Sequence, residues 1–243
     1  MVEPFDILYE DNHCLVVNKR AGFATTHFSG RDITIDQCVK AYLKEKYDKP
    51  GRVFLGIVHR LDKSVSGVLL VARTSKAAAR LAKQFREHSV IKVYWAIVSP
   101  RSKASGVNHV LSSDEAFHWR DWLKLDDEAA RVRVVSQDTP GAVLALTRGK
   151  VLARSQNGYL LELCPSTGRK HQLRVQLASR GLPIIGDRKY RSDQKFPAGI
   201  ALHARSLTFQ HPIRHEPITI TAEVPDAWSL SFLHLLPFSN REI

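Results

Sequence analysis

The chain has 243 residues, enough to bury a sizeable core as one large domain or two small ones, and its 44% hydrophobic content is ordinary for a soluble globular protein. Thirty-six Lys and Arg against 24 Asp and Glu give a net charge of +12, with a sequence pI near 9.8. Such an excess attracts polyanions through counterion release; with no stretch that sets a Lys-rich face against a Trp/Leu face, RNA or DNA suits it better than a membrane surface.

The first ten residues are polar and acidic, unlike a signal or transit peptide, and no apolar run approaches the roughly 20 residues of a membrane span. A strand is predicted over 14–18. Ile35, Val39, Tyr42, Leu43 and Tyr47 recur at helical spacing from a Thr34 or Asp32 start and stop before Pro50-Gly51. A strand over 68–72 is followed by a helix from 75 to about 88, whose stripe of Ala78, Leu81, Ala82 and Phe85 reads as core packing. Strands are predicted over 93–98, 132–135, 143–146, 159–163 and 207–210, and a short helix over 171–180, closed by Gly181 and Pro183. Helices and strands mix without strict alternation, an α+β pattern. A single domain over 1–243 is expected. Residues 101–140 are polar, with Gly106, Pro140-Gly141 and the run Asp126-Asp127-Glu128, and are expected to form a peripheral insertion. No repeat or low-complexity tract is visible.

Cys14, Cys38 and Cys164 are far apart, odd in number and set among apolar neighbours. They read as reduced core residues of a cytoplasmic protein. No CxxC, HExxH or paired-His spacing points to a metal, and no GxGxxG or P-loop to a nucleotide cofactor.

The most informative segment is His59-Arg60-Leu61-Asp62-Lys63-Ser64-Val65-Ser66-Gly67, which runs into the apolar stretch Val68-Leu69-Leu70-Val71-Ala72. A carboxylate between an arginine and a small-residue turn, leading into a buried strand, has the layout of a catalytic loop on a rigid element. Taken alone, such an Asp is more often a turn residue.

Three further segments change that balance. The loop resembles the HRLDxxTSG motif of the RluA-type pseudouridine synthases. Leu15-Val16-Val17-Asn18-Lys19-Arg20-Ala21-Gly22 is similar to that family's NKPxG segment, and Lys92-Val93-Tyr94-Trp95-Ala96-Ile97-Val98 to its KxYxAxV strand. Thr167-Gly168-Arg169-Lys170-His171-Gln172-Leu173-Arg174, followed by Pro183-Ile184-Ile185-Gly186-Asp187, resembles its TGRxHQxR…PIxGD block, and Leu202-His203-Ala204 fits as well. Four ordered blocks between about residues 7 and 225 rarely arise by chance. The resemblance implies a pseudouridine synthase catalytic-domain fold: a mixed, largely antiparallel sheet with flanking helices and a central cleft. Because the match begins within the first dozen residues, no N-terminal S4-type domain is expected, and RNA is expected to be held by the catalytic domain.

The reaction so implied breaks the C1′–N1 bond of uridine, rotates the uracil and joins C1′ to C5, with no net redox change and no cofactor. Oxocarbenium character at C1′ is what a carboxylate stabilises or captures, and Asp62 is the candidate. By analogy with the family it could instead help remove the C2′ proton to give a glycal, and the sequence leaves both routes open. An arginine contact keeps an enclosed carboxylate ionised; the resemblance assigns that partner to Arg174, otherwise readable as a solvated helix arginine. Tyr94 reads both as strand core and as the family tyrosine that stacks on the uracil and acts in proton transfer. Lys92, on the same strand face, is expected to touch RNA or pair with an acid.

A flipped base leaves a gap that Arg60 is placed by sequence to fill. His59 orients the loop, contacts phosphate or simply makes a structural hydrogen bond. Arg169, Lys170 and His171 suit backbone phosphates, and Leu173 the wall of the uracil pocket. Arg20 in place of the usual proline, Val65 in place of threonine and Arg191 where glycine often stands depart from the family pattern without removing a proposed catalytic group. The sequence thus reads as a cofactor-independent, monomeric enzyme acting on rRNA or tRNA. Two other readings are a non-catalytic RNA-binding protein on the same fold and a glycosidic-bond hydrolase; the hydrolase would call for a second acidic group that no nearby motif supplies.

Overall fold

The computed structural model describes residues 3–27, 32–100, 116–126, 131–155 and 158–228. In chain order these form β1 (Phe5–Glu10), β2 (Cys14–Lys19), α1 (Ile35–Lys46), β3 (Gly56–Ile57), β4 (Ser66–Ala72), α2 (Ser75–Arg86), β5 (Ile91–Val98), β6 (Phe117–Asp126), β7 (Arg131–Val135), β8 (Val143–Arg154), β9 (Tyr159–Pro165), α3 (Gln172–Ser179), β10 (Leu202–Gln210) and β11 (Pro217–Thr221). Residues 101–115 and 127–130 of the expected insertion lie outside the described residues. Two compact units emerge, one of Met1–Ile91 with Ala204–Val224, the other of Lys92–His203 with Pro225–Ile243.

In the first unit β1, β2, β4, β10 and β11 lie side by side, with β3 on β4, and the registered pairings are antiparallel. β4 is buried along its whole length, which is why Ser66–Ala72 reads as a continuous apolar run rather than an alternating one. One face of β2 and β4, with Cys14, Val16, Val68, Leu70 and Ala72, joins Ala77 and Leu81 of α2 and Leu207 and Phe209 of β10 in one core. The alternate residues Leu15, Val17, Leu69 and Val71 are fully buried on the opposite face. Both helices start where their caps dictate: Thr34 forms a capping box with Gln37, and the Thr74 hydroxyl accepts from the Ala77 N–H.

In the second unit the order is β5, β9, β8, β6, β7, again antiparallel. α3 covers one face, packing Val175 against Leu123, Val132 and Ala145. All of β6 falls within the expected insertion, where Asp121 interrupts the apolar alternation that marks a strand. The structure pairs it with both β7 and β8, and Asp121 accepts from Gln176 Nε2 at 2.7 Å and Arg180 Nη2 at 3.0 Å, so an acid sits on the covered face with both oxygens hydrogen-bonded. Antiparallel sheets flanked by helices are the α+β arrangement expected. Among the described residues no helix is long and apolar enough to cross a membrane.

Candidate active site

In the first unit the loop that carries Asp62 enters β4 and is held along its length. The Thr25 hydroxyl donates to the Leu61 carbonyl (2.9 Å) and accepts from the Leu61 N–H (3.1 Å), acting as a strand partner where there is no strand. The Gly22 N–H donates to the Lys63 carbonyl (2.7 Å), and the Val65 N–H closes a turn on the Asp62 carbonyl (3.0 Å). His59 faces inward: its Nε2 accepts from the Leu70 N–H (2.9 Å) and its ring stacks on Phe85 with centroids 4.7 Å apart. Leu61 and Val65 are buried, so the loop is anchored on both sides of a half-buried Asp62, while Arg60 is exposed.

Lys19 is the site residue to which the sequence reading gave no role. It is fully buried, stands opposite Gly67 in the β2–β4 register, and donates to the carbonyls of Arg20 (3.1 Å) and Phe23 (2.9 Å). Burial pulls its pKa down to about 7, and the charge of Asp62 acts in the opposite direction. The Asn18–Gly22 segment is thus the cradle of the Asp62 loop and places a buried amine in its field. A lysine inside a motif carries no sequence sign of burial, since lysines are mostly exposed.

Gly67, at φ +112°, is where backbone meets backbone: a Cβ there would lie 2.6 Å from Ala204 N and 2.8 Å from its carbonyl carbon, with the carbonyl oxygen closer still. Gly67→Ala is therefore expected to destabilise the chain by about 2–4 kcal/mol, from left-handed strain plus the backbone shift that overpacking forces. Urea unfolding of the variant checks this.

The second unit gathers Tyr94, Lys92, Arg169, His171, Leu173 and Arg174. Tyr94 pairs with Leu163, and Lys92, two residues earlier, shares its face; Lys92 Nζ donates to the Thr167 carbonyl (3.1 Å), and burial lowers its pKa. The Thr167–Gln172 segment is a closed network. The Thr167 hydroxyl donates to Gln172 Oε1 (2.7 Å) and accepts from the Leu146 N–H (2.9 Å), and Gln172 Nε2 donates to the Leu146 carbonyl (3.0 Å) and the Thr147 hydroxyl (2.9 Å). This network holds the exposed Arg169 and Lys170 at the entry to α3. His171 enters the helix in the left-handed region, at φ 53°. The Tyr190 hydroxyl accepts from the Val132 N–H (3.1 Å) and lies 2.9 Å from His171 Nδ1, a hydrogen bond whose direction follows the imidazole tautomer.

Arg174 and Leu173 are both buried. Arg174 Nε and Nη2 grip the two oxygens of Asp187 at 2.7 and 2.8 Å, a bidentate pair with the carboxylate 1% exposed, and the guanidinium stacks over Tyr190. The reading of Arg174 as a solvated helix arginine is thus excluded. Asp187, quoted in the late motif without a role, is a partner the sequence reading missed. Arg191 adopts φ 68°, which accounts for the glycine that the family often has there.

Among the described residues one group has metal-ligand atoms close together: Asp11, Cys14 and His211, within 4.8 Å of one another. Its donors are already used. His211 Nδ1 accepts from the N–H of Ile213 and Arg214, so Nε2 carries the proton that it gives to Asp11 at 2.7 Å. Asp11 also takes the N–H groups of His13 and Cys14, the Tyr9 hydroxyl and Arg214. Burial pushes the Cys14 thiol up to about 12. The cluster is a structural pin. Burial alone would raise the Asp11 pKa, but these hydrogen bonds outweigh it and bring it down to about 2. A carboxylate depressed in the folded state stabilises above its unfolded pKa of about 3.9 and loses that contribution as pH falls toward 2. Asp11→Asn is expected to cost about 1–2 kcal/mol at pH 7 and much less at pH 2, allowing for partial solvent screening. Denaturant unfolding at the two pH values reads the difference.

The family model for RNA pseudouridylate synthase matches residues 13–179. A protein from Zymomonas mobilis named ribosomal large subunit pseudouridine synthase D is 34% identical over 98% of this chain and 74% of its own length. One from Vibrio parahaemolyticus named ribosomal large subunit pseudouridine synthase C is 34% identical over 89% of this chain and 64% of its own. The solved structure of human RNA pseudouridylate synthase domain containing 4 superposes with a TM-score of 0.74 at 26% identity, covering 94% of this chain and 92% of that one. The chain belongs to the RNA pseudouridylate synthase family, as its motifs led one to expect. It is an RNA pseudouridine synthase, an isomerase that converts uridine to pseudouridine in RNA; the reading as a binding protein without catalysis is not favoured.

Proposed function

We propose that the substrate is ribosomal RNA, that Asp62 is the carboxylate acting at C1′, and that Tyr94 and Arg174 complete the catalytic set. The observation that carries this reading is the Asp62 loop, gripped by Thr25, Gly22 and His59 and backed by the buried Lys19. That is much structure spent on holding one carboxylate. In the reaction the C1′–N1 bond breaks and Asp62 stabilises or captures the cationic C1′; the uracil turns, C5 bonds to C1′, the C5 proton leaves to solvent and N1 gains one. Electrons balance without a redox partner, which supports a cofactor-free enzyme.

Tyr94 stacks on the flipped uracil and Leu173 walls its pocket. Arg174, bidentate on Asp187, is the partner that the family resemblance assigns to the catalytic carboxylate. Arg60, exposed on the loop, fills the space the base leaves. The bonds of His59 support its role in orienting the loop, and the bond of Lys92 to the Thr167 carbonyl supports its positioning the segment that carries Arg169 and His171 against phosphates. The names of the relatives favour ribosomal over transfer RNA. The enzyme is read as a cytoplasmic monomer of one domain, with residues 101–140 as its insertion.

Incubation of the purified chain with unmodified large-subunit rRNA and, separately, with unmodified tRNA, followed by digestion to nucleosides and chromatography, tests the target. Pseudouridine is expected from rRNA; its appearance from tRNA alone would overturn the ribosomal assignment.

A further inference from the structure

The register of the second unit sorts its charges sharply by face. Trp119, Asp121, Leu123, Val132 and Ala145 point toward α3, and Tyr94, through its pairing with Leu163 and the register of Leu163 with Gly149 and Gly149 with Phe117, belongs to the same face. On the opposite face Arg120, Lys124, Arg133, Arg148 and Lys150 are exposed. There Lys124 stands opposite Arg133, Arg131 opposite Asp126, Leu146 opposite Arg120, and Lys150 opposite Glu162. Six cations, Arg120, Lys124, Arg131, Arg133, Arg148 and Lys150, therefore share one side of four neighbouring strands with two carboxylates. Both acids are engaged, Asp126 with Arg133 at 3.0 Å and Glu162 with Lys150 at 3.1 Å. Arg120, Lys124, Arg131 and Arg148 have no carboxylate partner among the described residues. The thiol of Cys164, opposite Arg148, feels the charges of Glu162, Arg148 and Lys150 together, which agrees with the register.

We infer that this solvent face of β7, β6, β8 and β9 is a second docking surface that binds the phosphate backbone of a helical segment of the substrate RNA, on the side of the sheet away from Tyr94 and α3. The inference rests on the reading of the chain as an RNA-acting enzyme. Like charges on neighbouring strands repel, so a sheet face that is cationic over roughly 14 Å in each direction is stabilised by a polyanion. The exposed groups are Arg and Lys with the single imidazole of His118, while Trp122 at the centre is half-buried between Val135 and Leu144. A single-strand site would offer an exposed aromatic platform; cations over an apolar floor suit backbone phosphates of a duplex, read by shape.

The test uses the full chain with Arg120→Gln, Lys124→Gln and Arg148→Gln together, and a matched control that removes three exposed charges elsewhere, Lys76→Gln, Lys83→Gln and Arg86→Gln on α2. Affinity for a large-subunit rRNA transcript is measured against salt, along with turnover at saturating RNA. The sheet variant is expected to lose roughly 10-fold or more in affinity near 0.1 M salt and to lower the slope of log K against log salt by about 2–3, with kcat unchanged and the α2 control close to wild type. A charge-keeping variant with Arg120→Lys and Arg148→Lys should retain the slope. Equal losses in the sheet variant and the control, or no loss in either, would overturn the inference while wild-type pseudouridine formation still upheld the enzyme reading. Failure of the wild type to modify any RNA would strike that reading instead.

Discussion

Asp62→Asn is expected to lower the rate of pseudouridine formation ~10³-fold or more while changing RNA affinity little, because the carboxylate is needed where positive charge develops at C1′ and contributes little to holding a polyanion. Asparagine keeps the shape, and the backbone contacts of Leu61, Lys63 and Asp62 that hold the loop do not depend on the side-chain charge. Stability should therefore change by less than ~1 kcal/mol. The substitution does act on Lys19: without the charge that supports its ammonium form, the pKa of about 7 should fall further, and Lys19 should be neutral at pH 7. Single-turnover rates, equilibrium binding and urea unfolding of the one variant separate the three effects. A variant that binds RNA normally, folds normally and still isomerises at a rate near wild type would remove Asp62 from the chemistry.

Arg174→Met is expected to destabilise the protein by about 3–5 kcal/mol whatever its catalytic role, because Asp187, 1% exposed, would be left as a buried charge without its bidentate partner. Arg174→Lys should recover part of that cost, since an ammonium supplies the charge but not the fork of two parallel donors. The two roles of Arg174 are separable through Asp187→Asn, which weakens the structural pair and leaves the guanidinium charge in place. If Arg174 serves the catalytic carboxylate, Asp187→Asn should lose stability yet keep most of its turnover per folded molecule, whereas Arg174→Met loses both. Equal turnover per folded molecule in the two variants would confine Arg174 to structure.

The sequence made β2, β4, β5 and β9 legible because strands buried on both faces are written as apolar runs, and α1 and α2 because a cap precedes a regular stripe. β1 and β11 escaped for the opposite reason: Phe5–Glu10 and Pro217–Thr221 alternate with polar or charged residues and lie in short strands at the margin, where little is buried. β6 was hidden by Asp121, whose partners Gln176 and Arg180 lie more than fifty residues on. At the site, the motif residues were legible as a set, but their division of labour was not. The sequence could suggest that His59 orients the loop without naming Leu70 and Phe85 as the means, and it placed Lys92 toward RNA or an acid when its bond is to the Thr167 carbonyl. Lys19 and Asp187 stood inside quoted motifs with no role, since burial and pairing are properties of the fold and not of a residue's immediate neighbours.

Isomerisation differs from hydrolysis in one observable, the fate of the uracil, and that gives the most direct test of the central claim. Large-subunit rRNA carrying tritium at uridine C5 is incubated with the wild-type chain, and tritium in water, pseudouridine in the RNA and free uracil are measured from the same reaction. Tritium released one-for-one with pseudouridine, with no free uracil, is the result predicted. Free uracil at the level of the reacted uridine, or an RNA that is bound but retains all of its label, would contradict it.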